Sequence, residues 1–270
     1  MPSPHPLGDY LRARRELIRP DEVGLPDGPG HRRVPGLRRA EVASLAGISA
    51  EYYVKLEQGQ EAHPTGQVLD ALSKALKLDA TARSYLHSLA RFTTPDARPV
   101  TAAAVQTAEW LINSWTMTAA MILDRHSDIV SVNPLMTSLV SGYRAGENAL
   151  RVLLVDPALR HLYIEWDGLS MRSIGLLRSA IGPEPHHPRA SELVAQLTQE
   201  SARFRELWHR HDIAGMTEGA HPMNHPIAGE LALYFAHFPL SGADGHSIFL
   251  YYAEPDSSTE RALAALAAGW

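Results

Sequence analysis

The 270-residue chain has no cysteine, which removes disulfides and thiolate metal ligands from the repertoire. It also lacks any uninterrupted apolar run near the roughly 20 residues of a membrane-spanning helix. The opening MPSPHPLGDY has no charged-then-apolar leader pattern, so a cytoplasmic protein with no membrane partner is expected. Catalytic signatures are missing as well: no G-x-S-x-G elbow, no G-x-G-x-x-G, no phosphate-binding loop and no H-E-x-x-H. Fourteen histidines do not repair this. His209 and His211 are two apart in an expected helix and point to different sides, and His186-His187 falls in a proline-rich break. No catalytic residue, metal or cofactor is expected, and an enzyme with an accessory DNA-binding head would need a convergent acid, base or nucleophile set that is not found.

A net charge of −5 argues against whole-molecule attraction to DNA, so the distribution of charge decides. Residues 1–92 carry 13 Lys and Arg against 11 Asp and Glu, and the remainder carries 12 against 19. A slightly basic head on an acidic body suits a DNA-binding regulator, although an acidic enzyme would show the same body.

The most ordered local pattern is Leu37 to Gly59, LRRAEVASLAGISAEYYVKLEQG. Val42, Leu45 and Ala46 fall at helical spacing, Gly47 stops that helix, and Ser49 caps another starting at Ala50. Ala43 is small where two helices cross, and Ile48, Tyr53 and Leu56 form a buried wedge behind the second helix. The outward face is then Ala50, Glu51, Tyr52 and Lys55.

Upstream, Leu7 and Leu11 mark a first helix that ends before Pro20. Residues 20–36 hold four prolines and four glycines and read as a loop, with Arg32, Arg33, Arg38 and Arg39 at its end. These arginines are placed to meet phosphates, with a solvated basic turn as the alternative for Arg32 and Arg33. Downstream, Thr65 caps a fourth helix and Asp79 a fifth, and the head closes near Phe92. Residues 93–99, TTPDARP, are the expected linker.

Residues 100–270 form the second domain. An amphipathic helix from Ala102 to Trp115 precedes two short strands, Ala120–Leu123 and Ile129–Val132, joined by a polar turn; Asn133 with Pro134 then caps another helix. Residues 147–215 are mostly helical. A strand carrying Leu231, Leu233 and Phe235 pairs with His246–Ala253 before a C-terminal helix. The strand, polar turn, strand, Asn and helix that open this domain resemble the start of PAS sensor domains, and the expected fold class is α+β: an all-α five-helix helix-turn-helix domain, then a PAS-like α/β sensory domain with an antiparallel sheet.

The stretch with Ala43, Gly47 and the ending Leu56-Glu57-Gln58-Gly59 resembles the Xre-type helix-turn-helix. Asp156-Pro157, Trp166, Ser201-Ala202-Arg203-Phe204, Leu207-Trp208 and His225-Pro226 resemble the ligand-binding domain of MmyB-like regulators. That resemblance implies double-stranded DNA as partner, a small apolar ligand of the fatty-acyl kind, and a link to secondary metabolism. With the second helix in the major groove, Ser49 and Ala50 open it, Glu51 accepts from a cytosine amino group, and Lys55 donates to guanine. Tyr52 either contacts a thymine methyl or phosphate or packs beside Tyr53. Arg38 and Arg39 meet phosphates, and Arg39 and Gln58 sit where the resemblance places backbone anchors. Trp166, Phe204 and Trp208 are candidates for an apolar pocket or a solid core, and Arg203, His225 and Tyr234 for holding a ligand head. One head makes few contacts, so a homodimer through the second domain is expected. The rival to ligand sensing is a ligand-independent dimeric DNA-binding protein with a filled core.

Overall fold

The computed structural model describes residues 5–25, 36–61, 63–90, 102–182, 187–214, 219–243 and 245–269. Arg32, Arg33, Phe92 and the expected linker lie outside them. Among the described residues no helix is long and apolar enough to cross a membrane.

Among the described residues five α-helices build the head: α1 Pro6–Leu17, α2 Arg39–Ala46, α3 Ala50–Glu57, α4 Gly66–Ala75 and α5 Ala80–Ala90. Leu11, Leu37, Val42, Tyr53, Leu56, Leu72 and Leu86 make one buried cluster among them. Side-chain caps start three of the five at the expected residues: Ser49 Oγ accepts from Tyr52 N, Thr65 Oγ1 from Val68 N, and Asp79 Oδ1 from Ala82 N. Pro20–Val23, expected within a loop, winds one 3-10 turn. Leu45, expected inward, is 39% exposed, because α2 turns its Val42–Ala43–Ala46 edge to the core.

The second domain opens with α6 Ala102–Ser114 and a hairpin of β1 Ala119–Leu123 and β2 Ile129–Val132. Six helices follow: α7 Pro134–Leu139, α8 Ala149–Val155, α9 Pro157–Leu162, α10 Trp166–Ile181, α11 Pro188–Glu200 and α12 Ala202–Trp208. Then come β3 Gly219–Ala220, β4 Met223–His225, β5 Gly229–Leu231, β6 Tyr234–Pro239, β7 Ser247–Tyr252 and α13 Ser258–Ala267. The antiparallel five-stranded sheet has the order β2-β1-β7-β6-β3, and β4-β5 form a separate hairpin. Head and second domain are therefore a helical helix-turn-helix region followed by an α/β domain with an antiparallel sheet.

Strand alternation sorts the sheet into two faces. Ala120, Ile122, Ala236, Ile248 and Leu250 pack under Ala108 and Ile112 of α6. The opposite face, including Met121, Phe235, Phe249 and Tyr251, turns toward α7–α12. Asn133 locks the entry to α7: its Oδ1 accepts from Ala120 N and Met136 N, and its Nδ2 donates to the Ile112 and Thr118 carbonyls.

Two further expectations, both in the second domain, are corrected. The single strand through Leu231 and Phe235 breaks at Ala232-Leu233, because Leu231 pairs with Met223 in the small hairpin while Leu233 O accepts from His221 N. His209 and His211 are not helical, since α12 stops at Trp208 and His211 takes a left-handed φ of 53°.

Candidate nucleic-acid interface and ligand cavity

The helix-turn-helix is built as its residues dictate. Gly47 adopts φ 67°, a conformation that costs a residue with a Cβ, and its N–H returns to the Ala43 and Ser44 carbonyls. Tyr53 and Leu56 are fully buried behind α3. Arg38, Arg39, Ser49, Ala50, Glu51, Lys55 and Gln58 are exposed and Tyr52 is half-buried, so seven of the eight DNA candidates stand on the surface and Tyr52 contributes to packing as well. Lys55 Nζ lies 3.0 Å from Glu51 Oε1, one helical turn back, so the two candidate base readers form an exposed ion pair in the free protein. Lys55→Ala is expected to weaken the preferred DNA site by about 1–3 kcal/mol and relax one base position. Binding curves on a randomised-site library check this; unchanged affinity and preference would remove α3 from the groove.

Glu57 has a larger structural part than its place at the end of α3 suggests. It is 1% exposed, and its two oxygens accept from Arg15 Nε and Arg39 Nε at 2.6 Å each. Arg15, 7% exposed, also donates to the Leu37 carbonyl. One carboxylate thus ties α1, α2 and α3 together. Burial opposes its charge, but the hydrogen bonds from Arg15 and Arg39 outweigh that and hold its carboxyl below the usual range.

A cavity of about 1600 Å³ opens against the inner face of the sheet. Met121, Leu123, Leu150, Leu153, Leu169, Leu177, Phe235 and Phe249 supply apolar wall. A polar chain crosses it. Arg172 on α10 lies 3.3 Å from His221 Nε2, His221 Nδ1 lies 3.3 Å from the Tyr251 hydroxyl, and Tyr251, Tyr163 and Tyr143 continue at 3.2 and 3.4 Å. Since the arginine can only donate, Nε2 accepts and the His221 proton sits on Nδ1, facing Tyr251. Burial, then the charge of Arg172, pulls the His221 pKa down to about 4. Burial pushes all three tyrosines well above their ordinary range. Within the chain Arg172 carries the charge at neutral pH, and Arg83, Asp124 and Arg125 line the same cavity.

The six sequence candidates for ligand contact are placed elsewhere: none of them lines the cavity. Trp166 donates from Nε1 to the Leu153 carbonyl, with Arg160 over its ring. Arg203 holds Ser170 and Glu206. Phe204 is fully buried and stacks on Trp208. His225 organises the β4–β5 turn, where Nδ1 accepts from Ile227 N and Ala228 N and Nε2 faces the Ser138 carbonyl. Tyr234 stacks on Tyr252 on the outer face. From sequence His221 reads, with His225, only as a residue flanking a turn, and Arg172 carries no signal; only the fold brings them together.

Among the described residues, the ligand atoms of Asp124, His126 and Asp128 lie within 4.8 Å of one another. Their carboxylates are already engaged. Asp124 Oδ1 accepts from His126 N and Asp128 N, and both Asp128 oxygens accept from Arg189, at 2.5 and 2.6 Å. Turn and ion-pair chemistry accounts for the group without a metal.

A helix-turn-helix with its candidate reading face exposed, in front of an α/β domain that holds a large cavity, defines the class of DNA-binding proteins that carry a ligand-binding domain. The profile of the helix-turn-helix domain matches residues 6–86, and that of the MmyB-like transcription regulator ligand binding domain matches residues 104–266. The chain belongs to the MmyB-like family and is a DNA-binding transcription regulator whose second domain takes a small ligand. No curated protein matches it.

Proposed function

We propose that the protein is a cytoplasmic, homodimeric regulator, with no enzymatic activity or cofactor, that senses a fatty-acyl carboxylate. The head would comprise residues 1–92, the linker 93–99 and the sensory domain 100–270. The observation that carries the ligand class is the pairing of apolar cavity walls with Arg172 at the end of the His221–tyrosine chain. Apolar pockets with a few placed polar groups bind ligands of matching amphipathic shape. The tail takes the leucine and phenylalanine wall, and the carboxylate takes the Arg172 guanidinium, which His221 orients. Charge-neutral phenols and a histidine hydrogen-bonded at both nitrogens suit binding rather than turnover. Trp110 and Leu111 of α6, 67% and 46% exposed, support dimerisation through the second domain. Control of secondary metabolism is the setting that the family resemblance suggests.

Titration calorimetry with dodecanoate and with dodecanol tests this. Arg172→Ala is expected to weaken dodecanoate by about 1.5–3 kcal/mol, the worth of a charge-assisted hydrogen bond, and to leave dodecanol almost unchanged. Equal losses for both probes would mean that Arg172 shapes the wall rather than reading charge.

A further inference from the structure

We infer that the ligand site is composite: helix α5 of the DNA-binding head forms one wall of the cavity, and its hydroxyl-bearing residues Thr81, Ser84 and Ser88 contact the ligand. The inference rests on the ligand reading above and adds to it residues outside the 104–266 span of the ligand-binding family. All three line the same cavity as Arg172, Ser173 and Leu176 of α10.

The head is fixed in this position by contacts of several kinds. The hydroxyl end of Tyr85 on α5 packs against Gly182, where an added Cβ would stand 2.3 Å from Cε2 and from the hydroxyl oxygen. Tyr10 of α1 meets Tyr85 edge-on at 5.1 Å. On the second-domain side of this contact Arg178, 7% exposed, is itself held in place: its guanidinium stacks 3.7 Å from the centre of the Trp208 ring, donates to the Trp208 carbonyl and lies 3.1 Å from His211 Nδ1. Arg14 pairs with Asp212 at 3.4 Å, and Ile213 packs against the core of the head. A ligand seated between α5 and α10 touches both domains and therefore binds the docked arrangement better than any other. By linkage it must then stabilise docking to the same degree, so occupancy reaches the DNA-binding helices through α5 itself.

The full-length protein tests this with dodecanoate as probe. Calorimetry is run on the unaltered chain, on Ser84→Trp and Ser88→Trp, and on Arg172→Ala, with hydrogen exchange of residues 80–90 measured in the unaltered chain with and without probe. A composite site gives at least tenfold weaker binding in each tryptophan variant and slower exchange along α5 on addition of dodecanoate. If both tryptophan variants bind as the unaltered chain does, Arg172→Ala does not, and exchange in α5 is unmoved, the site belongs to the second domain alone and the inference fails while the ligand reading stands. No binding by the unaltered chain overturns both.

Discussion

Replacing Glu57 by glutamine is expected to cost the head about 3–5 kcal/mol, the usual cost of stranding one partner of a buried ion pair. The shape barely changes, but Arg15 is left charged, nearly inaccessible and facing an amide. Arg39 loses its anchor at the same moment, and with it the defined start of α2. Since domains of this size are stable by about 5–15 kcal/mol, such a loss consumes much of the margin of the head. Urea denaturation followed by far-UV circular dichroism, together with binding to any selected operator, measures both consequences. A companion double variant, Glu57→Leu with Arg15→Met, should recover most of the stability, because an apolar pair of similar volume needs no compensation for desolvation. A single variant within 1 kcal/mol of the parent would show that the carboxylate does not hold the three helices together.

Acidification is the second large effect. His211, His221 and His237 have pKa values drawn down to about 4 by burial, with Arg178 contributing at His211 and Arg172 at His221. In the unfolded chain each returns to about 6.5. Between those values the unfolded state binds protons that the folded state refuses, so stability rises with pH across the window and is lost as pH falls from about 6.5 toward 4. For His221, the least accessible of the three, the full shift is worth about 3 kcal/mol, and solvent screening makes the other two worth less. Glu57 acts later: its depressed carboxyl contributes stability above its unfolded value near 4.3, and that contribution disappears as pH falls through the folded value. Melting temperatures should therefore drop well before carboxylates titrate, and His237→Gln should blunt the early part of the drop. A melting temperature that is flat from pH 7.5 to 5 would contradict neutral burial of these imidazoles.

Local chemistry made the head legible from sequence. Gly47, Ser49, Thr65 and Asp79 act within three or four residues of themselves, so a turn or cap can be read without knowing the fold. The same holds for Asn133 and Pro134 at the start of α7. Glu57 escaped that kind of reading, since Arg15 and Arg39 are 42 and 18 residues away and a Glu at the end of an exposed-looking helix gives no sign of being buried. The cavity escaped for a related reason. Periodicity identifies which side of α10 or β7 turns inward, but whether opposing side chains meet or leave space depends on their summed volumes across elements remote in sequence. The residues chosen as ligand contacts, Trp166, Arg203, Phe204, Trp208, His225 and Tyr234, were drawn from short recognisable motifs, and in the fold those motifs make caps, stacks and turns. Arg172 and His221 carry no local mark, and they meet only because the fold brings α10 beside a residue 49 positions away in sequence.

Because α5 is cavity wall as well as head, the natural unit of exchange in this chain is not the domain. Grafting residues 104–266 behind an unrelated DNA-binding module would carry over the sheet, Arg172 and most of the apolar lining but leave one side of the cavity open to water. A working biosensor chimera would have to bring α5 with it, or recreate on the foreign head a helix with small hydroxyl residues toward α10 and a tyrosine packed against Gly182.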